Sequence, residues 1–397
     1  METVTLSLPS AGKAGRPAVI DVVRWLLARP DLHLTDLFVR EDQCLFGSTV
    51  DGLVRFTLSV DGVEYAPDRH QMEQFLSAVF DDGWQNRIRV RALDEGLRLD
   101  EAGWCRFNGH RFDGGRLQVA IRRHPPQPLT LEAIQAPPQF RTLAQRPRGL
   151  ILFVGRTSAG KSTTMAAMLQ HINLNAAAHI VRIEDPLEIP IPPERSLITE
   201  RQVGSDVASA DLAVHDALRQ RPDVIAVSEV RDTATAGALY EAIDSGHLVL
   251  ASLHAPTPVD GLARFVSYFN EDAPQRAQVL SQVLAGVIGQ VRLPRLDRRG
   301  YRAFFELLAN DAQQVAPLIA ERRWADLKIA LNEGRLDQSF NLSEQLLQGV
   351  LDKQIDHRLA LPAAFDGNGF LRRLREVSRG AARPQLAGQA GASTGGH

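Results

Sequence analysis

The run Gly155, Arg156, Thr157, Ser158, Ala159, Gly160, Lys161, Ser162, Thr163 contains the spacing G-x-x-x-x-G-K-[ST], whose residue types suit the task of holding a chain of phosphates. Glycines allow a tight turn whose successive amide N–H groups point at phosphate oxygens, and a helix starting at the lysine adds its positive end. Lys161 is expected to reach the β and γ phosphates of ATP, and the Ser162 hydroxyl to ligate Mg²⁺. The apolar run LILFV precedes the loop and TTMAAMLQHI follows it, the strand–loop–helix context that this chemistry requires. Only four of the 45 cationic residues are lysines, at positions 13, 161, 328 and 353, so a lysine in this loop is a rare choice.

Polar groups follow four apolar runs in turn. LILFV leads into the phosphate loop, HIVRI into Glu184, Asp185 and Glu188, DVIAV into Ser228 and Glu229, and LVLASL into His254. In an open parallel sheet the ligand binds beyond the carboxyl ends of the strands, so these groups are expected to converge on one edge. Glu229 is placed to hold a water on Mg²⁺, with a salt bridge to Arg231 as the competing reading. A general base is the natural role for one of the three acids after HIVRI, and spacing alone does not choose among them. His247 and His254 are an odd number of positions apart on a strand and so face opposite sides, which excludes them as a metal pair.

The elements that must position these groups fall into two textures. Residues 18–124 carry a helical pattern (AVIDVVRWLLAR) and then alternating strands (TDLFVRED, LVRFTLSVDG, RLQVAIRRHP), an α+β domain. Residues 125–147 hold PPQP and APPQF and read as a proline-rich linker. Residues 148–365 alternate apolar runs with helices, the pattern of a parallel sheet with crossover helices. Beyond about 275 the periodicity of QRAQVLSQVLAGVIGQVRL predicts a helical C-terminal part. Residues 1–17 are expected to be a disordered N-terminus, and 366–397 an arginine-rich flexible tail.

Composition bounds the function. The chain has 397 residues, 44% hydrophobic and 23% charged, which predicts two or three folded domains and excludes a lone small module. A formal net charge of −2 advertises neither nucleic acid nor an anionic membrane. Cys44 and Cys105 are too few for a disulfide framework and lack the spacing of a zinc site. No secretory signal and no transmembrane segment are expected, so a cytoplasmic protein recruited by partners is the reading.

With four motifs in order, GRTSAGKSTT, IEDPLE, RPDVIAVSEVRD and SGHLVLASLHA, the chain resembles the secretion ATPases of the type II/type IV superfamily, especially the PilT-type pilus retraction motors and the ATPases of type IVB secretion and conjugation. The resemblance implies an α/β protein in which a PAS-like N-terminal α+β domain precedes a RecA-like P-loop ATPase domain, assembled as a homo-hexamer. It implies Glu188 as the base that activates water, Glu229 as the Walker B acid, and His254 as a catalytic residue beside the nucleotide. CRFNGHRF resembles the family's RFRVNAF stretch, which makes Arg106, Arg116 and Arg122 candidate arginine fingers. It also implies a cytoplasmic motor, peripheral at the inner membrane of a bacterium, pushing or pulling on an inner-membrane platform protein.

Some residues depart from the family pattern. Arg156, Ser158 and Ala159 stand where Pro, Gly and Ser are usual, narrowing the backbone choices of the loop and adding a charge beside the phosphates. The absence of a tetracysteine motif favours the retraction or type IVB branch over the assembly ATPases. QQVAPLIAE stands where retraction motors carry AIRNLIRE, retaining the apolar spacing without the charges. Two other readings stay open: a nucleic-acid-translocating RecA-like ATPase, whose one supporting feature is the run Arg372, Arg373, Arg375, Arg379, Arg383, and a weakly active ATP-binding paralogue that supports another ring. No DNA partner is expected, because the charge is near neutral and aromatics make up only 6%.

Overall fold

The computed structural model describes residues 2–8, 17–49, 51–99, 103–124, 127–297 and 300–381. The first part holds β1 (Glu2–Ser7), α1 (Val19–Leu27), β2 (Asp36–Arg40), β3 (Leu45–Thr49), β4 (Gly52–Val60), β5 (Val63–Glu64), α2 (Arg69–Phe80), α3 (Trp84–Val90), β6 (Leu93–Leu99), β7 (Gly103–Phe112) and β8 (Arg116–Arg123). Its sheet runs β1-β4-β3-β2-β8-β7-β6, with β5 paired to β4. The alternation read in the sequence sends Leu37, Val39, Leu117, Val119 and Ile121 inward, and Phe75 of α2 packs edge-on to Phe107 of β7, 6.2 Å between ring centres. Asp68 starts α2 with a reciprocal cap: its carboxylate accepts from the Gln71 amide, and the Gln71 side chain accepts from the Asp68 amide. This is the expected PAS-like α+β domain.

The second part holds α4 (Gln139–Ala144), β9 (Gly149–Val154), α5 (Lys161–Asn175), β10 (His179–Glu184), β11 (Leu197–Gln202), α6 (Ala210–Leu218), β12 (Val224–Val227), α7 (Thr233–Asp244), β13 (Leu248–Leu253), α8 (Pro258–Ser267), α9 (Ala273–Val283), β14 (Leu284–Pro294), β15 (Tyr301–Ala309), α10 (Ala316–Ala320), α11 (Trp324–Asn332), α12 (Leu342–Leu351), α13 (His357–Ala360) and α14 (Gly367–Ala381). Its sheet runs β11-β10-β12-β13-β9-β14-β15, parallel throughout except for the antiparallel β15. Every residue of β9, β12 and β13 is buried, because helices cover both faces of the sheet. Leu150, Leu152 and Val154 face a core shared with α6 to α11, while Ile151 and Phe153 face α4 and α5.

The structure differs from the sequence reading at four places. Within the expected disordered N-terminus, Glu2–Ser7 is a strand parallel to β4, its Val4 and Leu6 packed on the domain core; residues 9–16 lie outside the described residues. Within the proline-rich 125–147, Pro137 and Pro138 lead into α4, whose buried Phe140 meets Phe305 edge-on at 5.1 Å. The run read as helix beyond 275 ends its helix at Val283, and LAGVIGQV pairs with β9; a short apolar run buried on both sides carries no periodicity that separates helix from strand. The expected flexible tail begins as α14, anchored by buried Phe370 and by Leu374, and residues 382–397, Arg383 included, lie outside the described residues.

Candidate active site

The strand order places the ends of β10, β12, β13 and β9 side by side. All four of those ends open into one cleft of about 830 Å³, β13 through Ser252, and the cleft is walled on the other side by β2, β7 and β8 of the N-terminal domain and by the β14–β15 hairpin. Thr157, Ser158, Gly160, Lys161, Ser162 and Thr163 line it, with Glu184, Asp185, Glu188, Ser228 and Glu229 facing them.

The phosphate loop is braced from beneath by β14. Gly155 and Gly160 have positive φ (156° and 93°), and a Cβ on either would stand 2.6 Å from the Gln290 carbonyl oxygen or 2.7 Å from its side-chain nitrogen. The Gln290 amide nitrogen donates to the Ala159 carbonyl at 2.7 Å, and its oxygen accepts from the Thr164 hydroxyl at 2.8 Å. Ser158, standing where glycine is usual, adopts φ 63°. Gly155, Arg156 and Ala159 form the backbone of the loop without lining the cleft. The Lys161 ammonium donates to the carbonyls of Gly155 (3.1 Å) and Arg156 (3.3 Å). Burial pulls its pKa down, opposed by the negative charges of Glu229 and Glu188.

The acids separate into distinct environments. Glu184 is buried and accepts from Arg182 Nε at 2.8 Å; burial pushes its carboxyl up to about 7 despite that partner. Asp185 and Glu229 share one cation, Arg231, which donates to them at 2.7 and 2.9 Å. The salt bridge read as the alternative for Glu229 therefore forms, and the carboxylate still lines the cleft. Glu188 accepts from Arg106 Nη1 at 3.2 Å with its side chain about one-fifth exposed.

Of the candidate fingers, Arg106 and Arg122 line the cleft, each held by a carboxylate of its own domain: Asp94 for Arg106 (2.9 and 2.5 Å) and Asp36 for Arg122 (2.8 Å). Arg116 lies elsewhere, paired with Asp113 and over the Phe112 ring at 5.0 Å, because it begins β8 at the far end of the strand from Arg122. His254 is exposed beyond β13 and is not among the cleft residues; its carbonyl accepts from Arg264 at 2.7 Å. His247 stands at the opposite end of β13, with Nδ1 3.0 Å from the Ala242 carbonyl and 3.0 Å from the Ser245 hydroxyl. Burial pushes the Cys105 thiol up to about 11, removing it from thiolate chemistry.

The sequence reading missed Gln290, Arg182, Trp104 and His124. Gln290 is the one amide in LAGVIGQV, and Arg182 the one charge inside HIVRI, each a polar residue in a run otherwise buried. Trp104 donates from its indole to the Leu187 carbonyl at 2.9 Å, a contact across 83 positions that no local pattern signals. His124 closes β8 at the cleft, buried, its pKa lowered chiefly by burial.

No group of three or more His, Cys, Asp or Glu among the described residues is arranged to hold a metal. Ser162 and Glu229 nonetheless present hard oxygen donors to the same cleft. That set fits Mg²⁺, which keeps most of its ligands as waters and substrate phosphates.

The family of Type II/IV secretion system proteins matches residues 117–334, more than half of the chain. The twitching motility protein of Neisseria gonorrhoeae is 34% identical over 299 residues, spanning 73% of this chain and 79% of that one. The type IV pilus retraction ATPase PilT of Pseudomonas aeruginosa is 30% identical over 308 residues, spanning 77% and 89%. Among solved structures, the pilus retraction motor PilT with bound ADP superposes with a TM-score of 0.76 at 25% identity, over 90% of this chain and all of that one. The Legionella pneumophila ATPase DotB, at 18% identity and a TM-score of 0.73, shares the fold. With its phosphate loop and strand-end acids in one cleft, this chain is a member of the type II/IV secretion ATPase family, PilT-like in sequence and fold.

Proposed function

We propose that the protein is the ATP-hydrolysing subunit of a ring motor that drives pilus retraction or a type IVB secretion or conjugation machine from the cytoplasmic face of a bacterial inner membrane. The observation that carries this reading is the meeting of Lys161, Glu188 and Glu229 in one cleft that the N-terminal domain also lines.

ATP enters with its phosphates on the amides of residues 157–163. Lys161 exchanges the Gly155 and Arg156 carbonyls for phosphate oxygens, a swap that its present bonds pre-position. Glu188 takes a proton from water as the water oxygen bonds to the γ-phosphorus. The bond from that phosphorus to the β–γ bridging oxygen breaks, and ADP and phosphate leave. Ser162 and Glu229 would hold Mg²⁺, which would supply charge neutralisation for the phosphates. Arg106 now neutralises Glu188; its transfer to the γ-phosphate frees the base and draws the N-terminal domain inward, coupling chemistry to domain motion. Arg122, paired opposite Arg106 on the neighbouring strand β8, offers a second finger.

A homo-hexamer with an inner-membrane platform protein as its load fits this cycle. No helix among the described residues is long and apolar enough to cross a membrane. Against a nucleic-acid motor, Arg373 of α14 is committed to Glu344. The test is phosphate release with and without Mg²⁺, with oligomer mass in the same samples and with added DNA. Mg²⁺-dependent release by a ring, lost in Lys161→Ala and indifferent to DNA, is expected. Wild-type inactivity in a nucleotide-bound ring would instead support the non-hydrolysing paralogue.

A further inference from the structure

Arg182 has no place in the chemistry above, yet it is fully buried within the sheet, on the strand that leads to the base. Lining up β10 with β11 sets Arg182 opposite Glu200, and residues i and i+2 share a face, so Arg182 and Glu184 point the same way. Its guanidinium donates to Glu184 at 2.8 Å, to Glu200 at 2.9 Å and to the backbone carbonyl of Ile189. Glu200 in turn accepts from the Ile191 amide at 3.1 Å. On the other side of Glu188, the Leu187 amide donates to Gln202 at 3.0 Å while the Leu187 carbonyl accepts from Trp104. Both peptide neighbours of Glu188 are thus pinned, one from β11 and the N-terminal domain, the other by Arg182.

An arginine buried inside a sheet is costly, and its remaining nitrogen, Nη2, is buried without a partner. Well-packed apolar residues commonly replace a buried ion pair without loss of stability, so stability alone gives no reason for Arg182. What an apolar residue cannot do is hold the Ile189 carbonyl.

Resting on the reading of Glu188 as the base, we propose that Arg182 is a positioning residue which fixes the 185–191 segment so that the Glu188 carboxylate meets the attacking water. It touches neither substrate nor the reacting atoms. Its effect falls on kcat, because a base displaced by about an ångström loses roughly 100-fold in rate while the phosphate loop still binds ATP.

The experiment compares the full-length chain with Arg182→Lys, the double variant Arg182→Met with Glu184→Gln, and Glu188→Gln. Arg182→Lys keeps the charge opposite Glu184 but cannot serve three acceptors, and the double variant removes both buried charges together. The readouts are kcat, KM for ATP, melting temperature and amide hydrogen exchange of 186–191. Both Arg182 variants are expected to melt near the wild type and to keep KM within about twofold. Their kcat should fall by roughly 10- to 100-fold, with faster exchange confined to the segment, and the lysine should be the milder. Unchanged kcat and exchange in a folded variant overturns the proposal, as does a loss through KM alone. If the double variant does not fold, Arg182→Lys decides. Wild-type turnover in Glu188→Gln would overturn the base assignment and this proposal together, whereas an inactive Glu188→Gln beside fully active Arg182 variants overturns this proposal only.

Discussion

At the scale of single residues, the site is made of groups whose surroundings set them to different tasks. Glu184 is buried against Arg182, Glu229 is tied to Arg231, and Glu188 is the acid held by a cation from the other domain. Gln290 spends both ends of its amide on the phosphate loop. Gln290→Ala leaves the Ala159 carbonyl and the Thr164 hydroxyl without partners, which should cost about 1–3 kcal/mol and raise KM for ATP several-fold. Urea unfolding and steady-state kinetics check the two effects, and an unchanged KM would remove Gln290 from the site. Glu306, buried with Lys328 and Asp260 nearby, is pushed by burial up to about 7. A raised carboxyl pKa means the folded state binds the proton more tightly, so its stabilising contribution is present below about pH 4.5 and is lost as pH rises to about 7. Glu306→Gln should therefore flatten the fall in stability between those values, by up to about 3 kcal/mol. Equal slopes for variant and wild type in urea melts across that range would contradict the assignment.

Elements decide which of these residues meet. The phosphate loop and the acids of IEDPLE and VSEV were legible in the sequence because each follows an apolar run, and a parallel sheet must gather such ends at one edge. Contacts between distant strands left no such trace. The run that forms β14 carries a helix-like pattern in sequence, which hides Gln290, and Arg116 and Arg122 stand at opposite ends of β8 although both are candidate fingers by sequence. His254 follows its strand as expected, yet its side chain is exposed outside the cleft. The seam between the domains is close at Gly96 of β6, where a Cβ would lie 2.6 Å from the Leu187 carbonyl oxygen and 2.9 Å from the Trp104 ring. Gly96→Ala must push β6 away from the segment that carries Glu188. A fall in kcat of roughly tenfold, with ATP affinity retained, is expected from turnover and nucleotide titration. Normal kcat would show that the seam does not transmit position to the base.

For the whole molecule, the PAS-like and RecA-like parts share the cleft, with Arg106 reaching from one to Glu188 of the other. On the proposed cycle, ATP that draws Arg106 onto its phosphates would close the two parts, and closing and opening would be the stroke. Native mass measurement of Glu188→Gln with ATP is expected to find six copies, and a stable monomer under those conditions would contradict a ring motor. The family likeness spans both parts, which is why the architecture was legible from four short motifs.

If this cleft hydrolyses ATP with Glu188 as base, one substitution separates nucleotide binding from the chemistry. The most direct test measures ATP binding and phosphate release together for the wild type and Glu188→Gln. Glu188→Gln is expected to bind ATP within about twofold of the wild type and to release phosphate roughly 100-fold or more slowly. Release at the wild-type rate by Glu188→Gln would contradict Glu188 as the base.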